Sequence, residues 1–332
     1  QREGIKFSKI SYIPGSEVME ISAVDPKLGG IFYRLDNEKV RRPRFMRDAQ
    51  CLQCHAGPKT MGVPGHLVRS IATDETGEID TQNEIAEMTH CAPLADRWGG
   101  WYVTGNLGRQ SHRGNLIGSA AFEKAGDERN PLASCDNLSR YFDTSRYLEP
   151  GSDVVALMVL EHQTHMHNYI TRLNFDSQIM TAMYGHTRYL RNQVDAFLRY
   201  LLFVEEARLE EPVRGDAAFL ADFSRPAKRD SQGRSLRDLD LEKRLFKYPC
   251  SFLIYSEAFD AMPEPIREQI LQRLHDILTG KEKPAPFDKL TESDRLAVLE
   301  ILRETKQNLP AYWRNGLPGP DIEYGDNPVV IG

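Results

Sequence analysis

Cys51-Leu52-Gln53-Cys54-His55 reads C-x-x-C-H, the pattern by which c-type haem is attached to a chain. The spacing has a chemical reason. One short turn presents two thiols to the two vinyl groups of a porphyrin, and the next residue sets an imidazole under the iron. Cys51, Cys54 and His55 are therefore expected to hold one covalent haem c, with His55 as proximal metal ligand. The rival readings are a zinc half-site and a redox C-x-x-C. Zinc needs a second ligand pair, and Cys91, Cys135 and Cys250 stand alone. A thioredoxin-like motif needs a βαβ setting, which residues 44–50 do not offer. Thioether attachment implies export, so a periplasmic chain is expected. There Cys91 and Cys135 can pair as a disulfide or remain buried thiols. Cys250, in an apolar stretch read as helix, belongs to the core.

The sixth iron position separates functions: a Met or His there makes an electron carrier, and an open position allows small-molecule chemistry. Met61 follows His55 too closely to reach the opposite face, which leaves His66, Met88, His90, His112 and the 162–167 cluster. That cluster, Glu161-His162-Gln163-Thr164-His165-Met166-His167, directly follows the apolar run Val154–Leu160. Ionisable groups placed at a core are costly unless paired or ligating. His162 shares a helix face with His165 and Met166, while His167 points away. His162 is thus expected as a distal ligand or acid–base group with Glu161 as its partner, and the rival reading is a set of satisfied interior histidines. No H-E-x-x-H is present, and Glu87-x-x-His90 is a single copy where a di-iron site needs two.

Further segments have the character of pocket walls. Pro64–Arg69 carries His66 and Arg69, suited to haem propionates. Arg97-Trp98-Gly99-Gly100-Trp101-Tyr102 sets three aromatics around two glycines, so Trp101 is expected against the cofactor. Gly105–Asn115 is a polar, glycine-spaced loop that can bring His112 to a ligand as a catalytic group. No phosphate loop is present.

The elements that must position these residues fall into two textures. Residues 1–150 are rich in Gly, Pro and aromatics, with short β-type runs at Gly30–Leu35 and Gly100–Thr104. From Asp153, a plausible N-cap, helical patterning predicts helices over 154–173 and 176–210. Ser224–Asp238 reads as an exposed loop. Further helices are expected at 239–247, 250–261, 265–279 and 292–307, with an extended tail after 310. The expected fold is mainly α: an irregular haem-binding N-terminal half with short strands and loops (1–150), a helical half packed over the haem (151–310), and the tail 311–332.

The chain has 332 residues with 42 Lys plus Arg and 48 Asp plus Glu, a net charge of −6. That balance leaves no electrostatic footprint for nucleic acid, and no apolar run is long enough for a transmembrane segment. The opening Gln-Arg-Glu-Gly, without Met or an apolar stretch, fits a mature chain whose leader has been removed. A domain of about 100 residues suffices to wrap one haem, and the excess length here argues for a pocket or docking surface.

With Arg44-Phe45-Met46-Arg47-Asp48 leading into Cys51–His55, Gly62–Ser70, Arg97–Gly105, Ser152–Gln163 and Ile301–Lys306 in hand, the chain resembles a group of exported cytochrome c-like proteins of planctomycete- and acidobacterium-type bacteria. The resemblance implies a single c-type haem and export, and it makes Glu161-His162 and His66 parts of a family signature. The resulting expectation is a periplasmic monohaem redox protein, an oxidoreductase acting on peroxide or a small nitrogen or sulfur species. The alternative is an electron-transfer cytochrome c serving a partner protein. A haem-based sensor is the third reading.

Overall fold

The computed structural model describes residues 8–11, 15–38, 41–85 and 88–315. The fold is helix-rich but mixed, with 41% helix and 12% strand. The N-terminal region holds a four-stranded antiparallel sheet in the order β1 (Ser8–Ser11), β2 (Val18–Asp25), β3 (Gly29–Asp36), β4 (Met46–Arg47). The short α1 (Leu52–His55) follows, then a hairpin of β5 (Ser70–Thr73) and β6 (Ile79–Ile85), and α2 (Ser119–Asp127). The remainder is α3 (Val154–Tyr184), α4 (Arg191–Leu201), α5 (Ala217–Ser224), α6 (Glu257–Asp260), α7 (Glu264–Thr279), α8 (Glu292–Thr305) and α9 (Ala311–Asn315).

α3 is the spine. Its run Val154–Leu160 has no polar face, so it is stable only when enclosed, and its N-terminal half is buried on nearly every side. Asp153 caps it by accepting from the Ala156 N–H at 2.8 Å, as its position predicts; such a cap contributes about 1 kcal/mol. The helix does not break near 173. It continues to Gly185, whose φ of +75° makes the left-handed C-cap, so the break between the two expected helices falls after residue 184 and not near 174. The second ends early, as α4.

Other boundaries also move. Residues 239–247 form a turn closed by a Leu239–Phe246 bridge, with Leu241 at φ +60°. Residues 250–261 divide into a 3-10 turn and α6 because Ser251 and Ser256 each cap a new start. Gly100–Thr104 is a turn with an isolated bridge from Thr104 to Asp153. The 224–238 loop is not simply exposed: Ser235 and Leu236 are buried, and Arg234 pairs with Glu300 of α8 at 2.7 Å. The expected tail begins as α9, which sinks Trp313 into the core; 316–332 lie outside the described residues.

All five cysteines are free thiols, so Cys91 and Cys135 are not joined. Cys250 is fully buried, as expected. Among the described residues no helix is long and apolar enough to cross a membrane.

Candidate cofactor-binding site

The start of β3, the 64–66 segment and α3 converge at distances that only glycine permits. Gly30 N–H donates to Pro64 O at 2.7 Å. A Cβ on Gly65 would lie 2.2 Å from Asn168 Oδ1 of α3. Asn168 clips the His66 main chain twice, accepting from its N–H at 3.0 Å and donating to its carbonyl at 2.7 Å. The segment after the C-x-x-C-H turn is thereby fixed to the spine.

Gly65 in turn grips His55. Its N–H donates to the His55 carbonyl at 2.8 Å, and its own carbonyl lies 3.0 Å from His55 Nδ1. A carbonyl only accepts, so Nδ1 carries a proton, and in the neutral ring Nε2 then carries the lone pair. That is the tautomer a metal-ligating histidine needs, oriented as outer-shell carbonyls orient such rings.

His55 lines a cavity of about 530 Å³ together with Cys51 and Cys54. Phe32 closes one side, its ring centroid 4.5 Å from that of His55, and Leu67, Trp101 and Leu160 add apolar wall. Trp101 is held by its indole N–H, which donates to Arg69 O at 2.7 Å. The volume falls in the range of small-molecule and cofactor pockets, about 300–1,000 Å³. Two thiols, a pre-oriented imidazole and flat apolar walls fit a covalent porphyrin. Burial, then the charges of Asp48 and Glu20, push the Cys51 thiol above its ordinary value.

A second cavity of about 370 Å³ shares His66 and Leu67 with the first. Met88 and His165 line it, with Lys59, Arg69 and Glu84. Arg69 Nε donates to Glu84 Oε1 at 2.6 Å, and Lys59 pairs with the same carboxylate. The hydrogen bond from Arg69, with Lys59 in support, lowers the Glu84 carboxyl to about 2. Arg69 was expected on propionates in the C-x-x-C-H cavity; its guanidinium is committed to Glu84, and it lines the neighbouring cavity instead.

Three expected catalytic groups lie elsewhere. His162 is fully buried, with Nε2 2.7 Å from Ser251 Oγ and Nδ1 2.9 Å from His90 Nδ1. Both ring nitrogens are engaged, so neither is left to be a distal iron ligand. Glu161 does not support His162, because consecutive helical residues point about 100° apart. It meets Arg97 in a buried ion pair, and Arg97 also donates to His90 O and Ala92 O. Burial nevertheless pushes the Glu161 carboxyl up to about 7, against the pull of Arg97. His112 is buried between main-chain groups: Nε2 donates to Ala133 O at 3.1 Å, and Nδ1 accepts from Gly114 N–H at 2.9 Å. It is a core histidine, lowered to about 4 by burial. Of the sixth-ligand candidates, His66 alone lines the cavity with His55; Glu87 lies outside the described residues.

Phe32 and Gly65 were not singled out from the sequence as site residues. The available signal for Gly65 was its place between Pro64 and His66, where a main-chain carbonyl is easily exposed to a nearby ring. Nothing local marks Phe32, because its approach to His55 depends on sheet docking. Among the described residues no three His, Cys, Asp or Glu side chains gather as a metal-binding group. Comparison of the chain with protein-family models, curated proteins and solved structures finds no match in any of the three.

Proposed function

We propose that the protein is an exported monohaem c-type redox protein whose principal role is electron transfer. Cys51 and Cys54 would carry the haem as thioethers, and His55 would be its proximal ligand. Trp101, Leu67, Leu160 and Phe32 would cover its faces, and the helical half behind α3 would brace it through Asn168. The bound group would supply a one-electron iron couple; this chain's own residues orient the ligand and exclude water.

The observation that carries the reading is the His55 Nδ1–Gly65 O hydrogen bond of 3.0 Å inside a cavity both thiols line. Electron transfer is preferred over catalysis because Glu161 and His162, the expected acid–base pair, are held elsewhere. A second reading, small-molecule oxidoreduction of peroxide or a small nitrogen or sulfur species, draws on the adjoining cavity with His165 and Met88. Export follows from the attachment chemistry, and the reading assigns the chain to the cytochrome c-like group it resembles.

The test is expression in a host that matures c-type cytochromes, with intact mass and absorption spectra recorded. The expected results are one covalent haem, its loss in Cys51→Ala/Cys54→Ala, and a low-spin spectrum indifferent to carbon monoxide. A high-spin spectrum that binds carbon monoxide would move the assignment to the second reading. Absence of covalent haem would end both.

A further inference from the structure

The segment that enters the C-x-x-C-H turn is basic and exposed. Residues 41–47 contain Arg41, Arg42, Arg44 and Arg47 and no acid, a local charge of +4 on a chain whose net charge is −6. All four arginines are exposed, and none is ion-paired among the described residues. Between them Phe45 is 64% and Met46 42% exposed. Arginine, phenylalanine and methionine are side chains enriched in protein interfaces, and exposed apolar groups inside a charged rim mark interaction sites.

The segment is also joined to the cavity wall. β4 is the outer strand of the sheet, and Asp48 N–H donates to Phe32 O at 3.1 Å. Arg34 pairs in register with Met46, which sets Met46 on the same sheet face as Phe32, two residues along β3. Along the chain the segment is flanked by Glu38 and Asp48, and Asp36 is within 3.4 Å of Arg34.

We propose that Arg41, Arg42, Arg44 and Arg47, around Phe45 and Met46, form the docking surface for an acidic one-electron redox protein. This rests on the reading of the site as a haem c centre and names its partner. Opposite charge steers encounter, and the apolar pair seals the contact next to the cavity. One electron passes from the partner's reduced centre to the site in this chain, oxidising the partner by one equivalent. No bond forms or breaks.

The haem-loaded chain is titrated against a fluorescent glutamate-rich peptide with a central Phe, and anisotropy is followed at several salt concentrations. Binding is expected to weaken with salt and to fall about tenfold or more in Arg44→Glu/Arg47→Glu. Phe45→Ser is expected to weaken it severalfold with the salt dependence unchanged. Arg188→Glu, a single reversal at an exposed arginine outside the segment, is expected to leave it unaltered. Reduction by ferrocyanide, an anion, is expected to slow in the double reversal, and reduction by hexaammineruthenium(II), a cation, to accelerate. Equal peptide binding by wild type and Arg44→Glu/Arg47→Glu, at equal Tm, overturns the proposal. So does tighter binding to phosphatidylglycerol vesicles than to the peptide, which assigns the surface to lipid. A chain without covalent haem defeats the haem reading and the redox role together, whereas haem present with peptide bound elsewhere defeats this proposal alone.

Discussion

Gly65 holds His55 by both of its main-chain polar groups, donating to the His55 carbonyl and accepting from its Nδ1. The orientation of the imidazole therefore depends on where the Gly65 backbone lies, and that is set by Asn168 on α3.

Gly65→Ala is expected to lower both stability and haem content. The new methyl would meet Asn168 Oδ1 at 2.2 Å, and forced separation in a packed site costs about 1–3 kcal/mol. Asn168→Ala removes both of its hydrogen bonds to the His66 main chain, at about 1–3 kcal/mol in all. Urea denaturation and haem per chain by haemochrome assay check both. Unchanged haem content in Gly65→Ala would show that the clamp does not govern the site.

Replacing His162 with Phe is expected to destabilise the chain and to leave the haem spectrum as in wild type. Its ring sits among Tyr200, Phe203, His90 and Ser251, away from the cavity. Ser251→Ala removes both the bond to His162 Nε2 and the cap on Leu253 N–H, costing about 1–3 kcal/mol. A change of spin state in His162→Phe would restore it as a ligand.

Stability is expected to decline as pH falls below about 6.5. His90 and His162 are held well below the ordinary 6.5, by burial first and then by neighbouring histidine charges, and burial holds His165 and His112 near 4. The unfolded chain protonates these four from about 6.5 downward while the folded chain does not, so their contribution is complete above 6.5 and lost toward 4. Glu161 and Glu206, raised to about 7 by burial, act oppositely, gaining protons first in the folded state. With four histidines against two carboxyls, unfolding takes up protons below about 6.5, so stability falls as the pH falls. Thermal melts between about pH 8 and pH 5 measure the slope, and a flat or rising profile would contradict four neutral buried histidines.

Arg97→Met should cost more than Glu161→Gln. Removing the cation strands a buried carboxylate and frees the 90–92 turn, for about 3–5 kcal/mol, whereas the neutral amide keeps a polar partner for Arg97. A double-mutant cycle of Arg97→Met, Glu161→Leu and Arg97→Met/Glu161→Leu is expected to recover part of the loss in the double variant. Strict additivity would mean that the two side chains do not interact.

What the residues revealed in advance divides by range. The C-x-x-C-H turn, the Asp153 cap, β3 and the helices over 264–279 and 292–305 were legible because spacing, capping chemistry and 3.6-residue periodicity are local. The pairing of Glu161 with Arg97 and of His162 with His90 and Ser251 was not, because a helix pattern fixes which side chains share a face and not what stands opposite. Polar residues following an apolar run suggested a ligand face, and tertiary packing used them to satisfy a core. Trp101 lines the cavity with His55, but reasoning from the flanking glycines could not tell it from Trp98, which is buried elsewhere against His112.

The two grips that fix the site also differ in how far along the chain they reach. Gly65 is 10 residues from His55, whereas Asn168 is 102 from His66. A tenfold longer loop costs about 2 kcal/mol more to close, at roughly 0.6 kcal/mol per doubling. A loop of that shorter length closes in about 10–100 ns. The imidazole can thus take its tautomer within a nascent local loop, before the spine arrives to lock it. On the haem reading proposed above, attachment of the group and folding of the body would be separable in time.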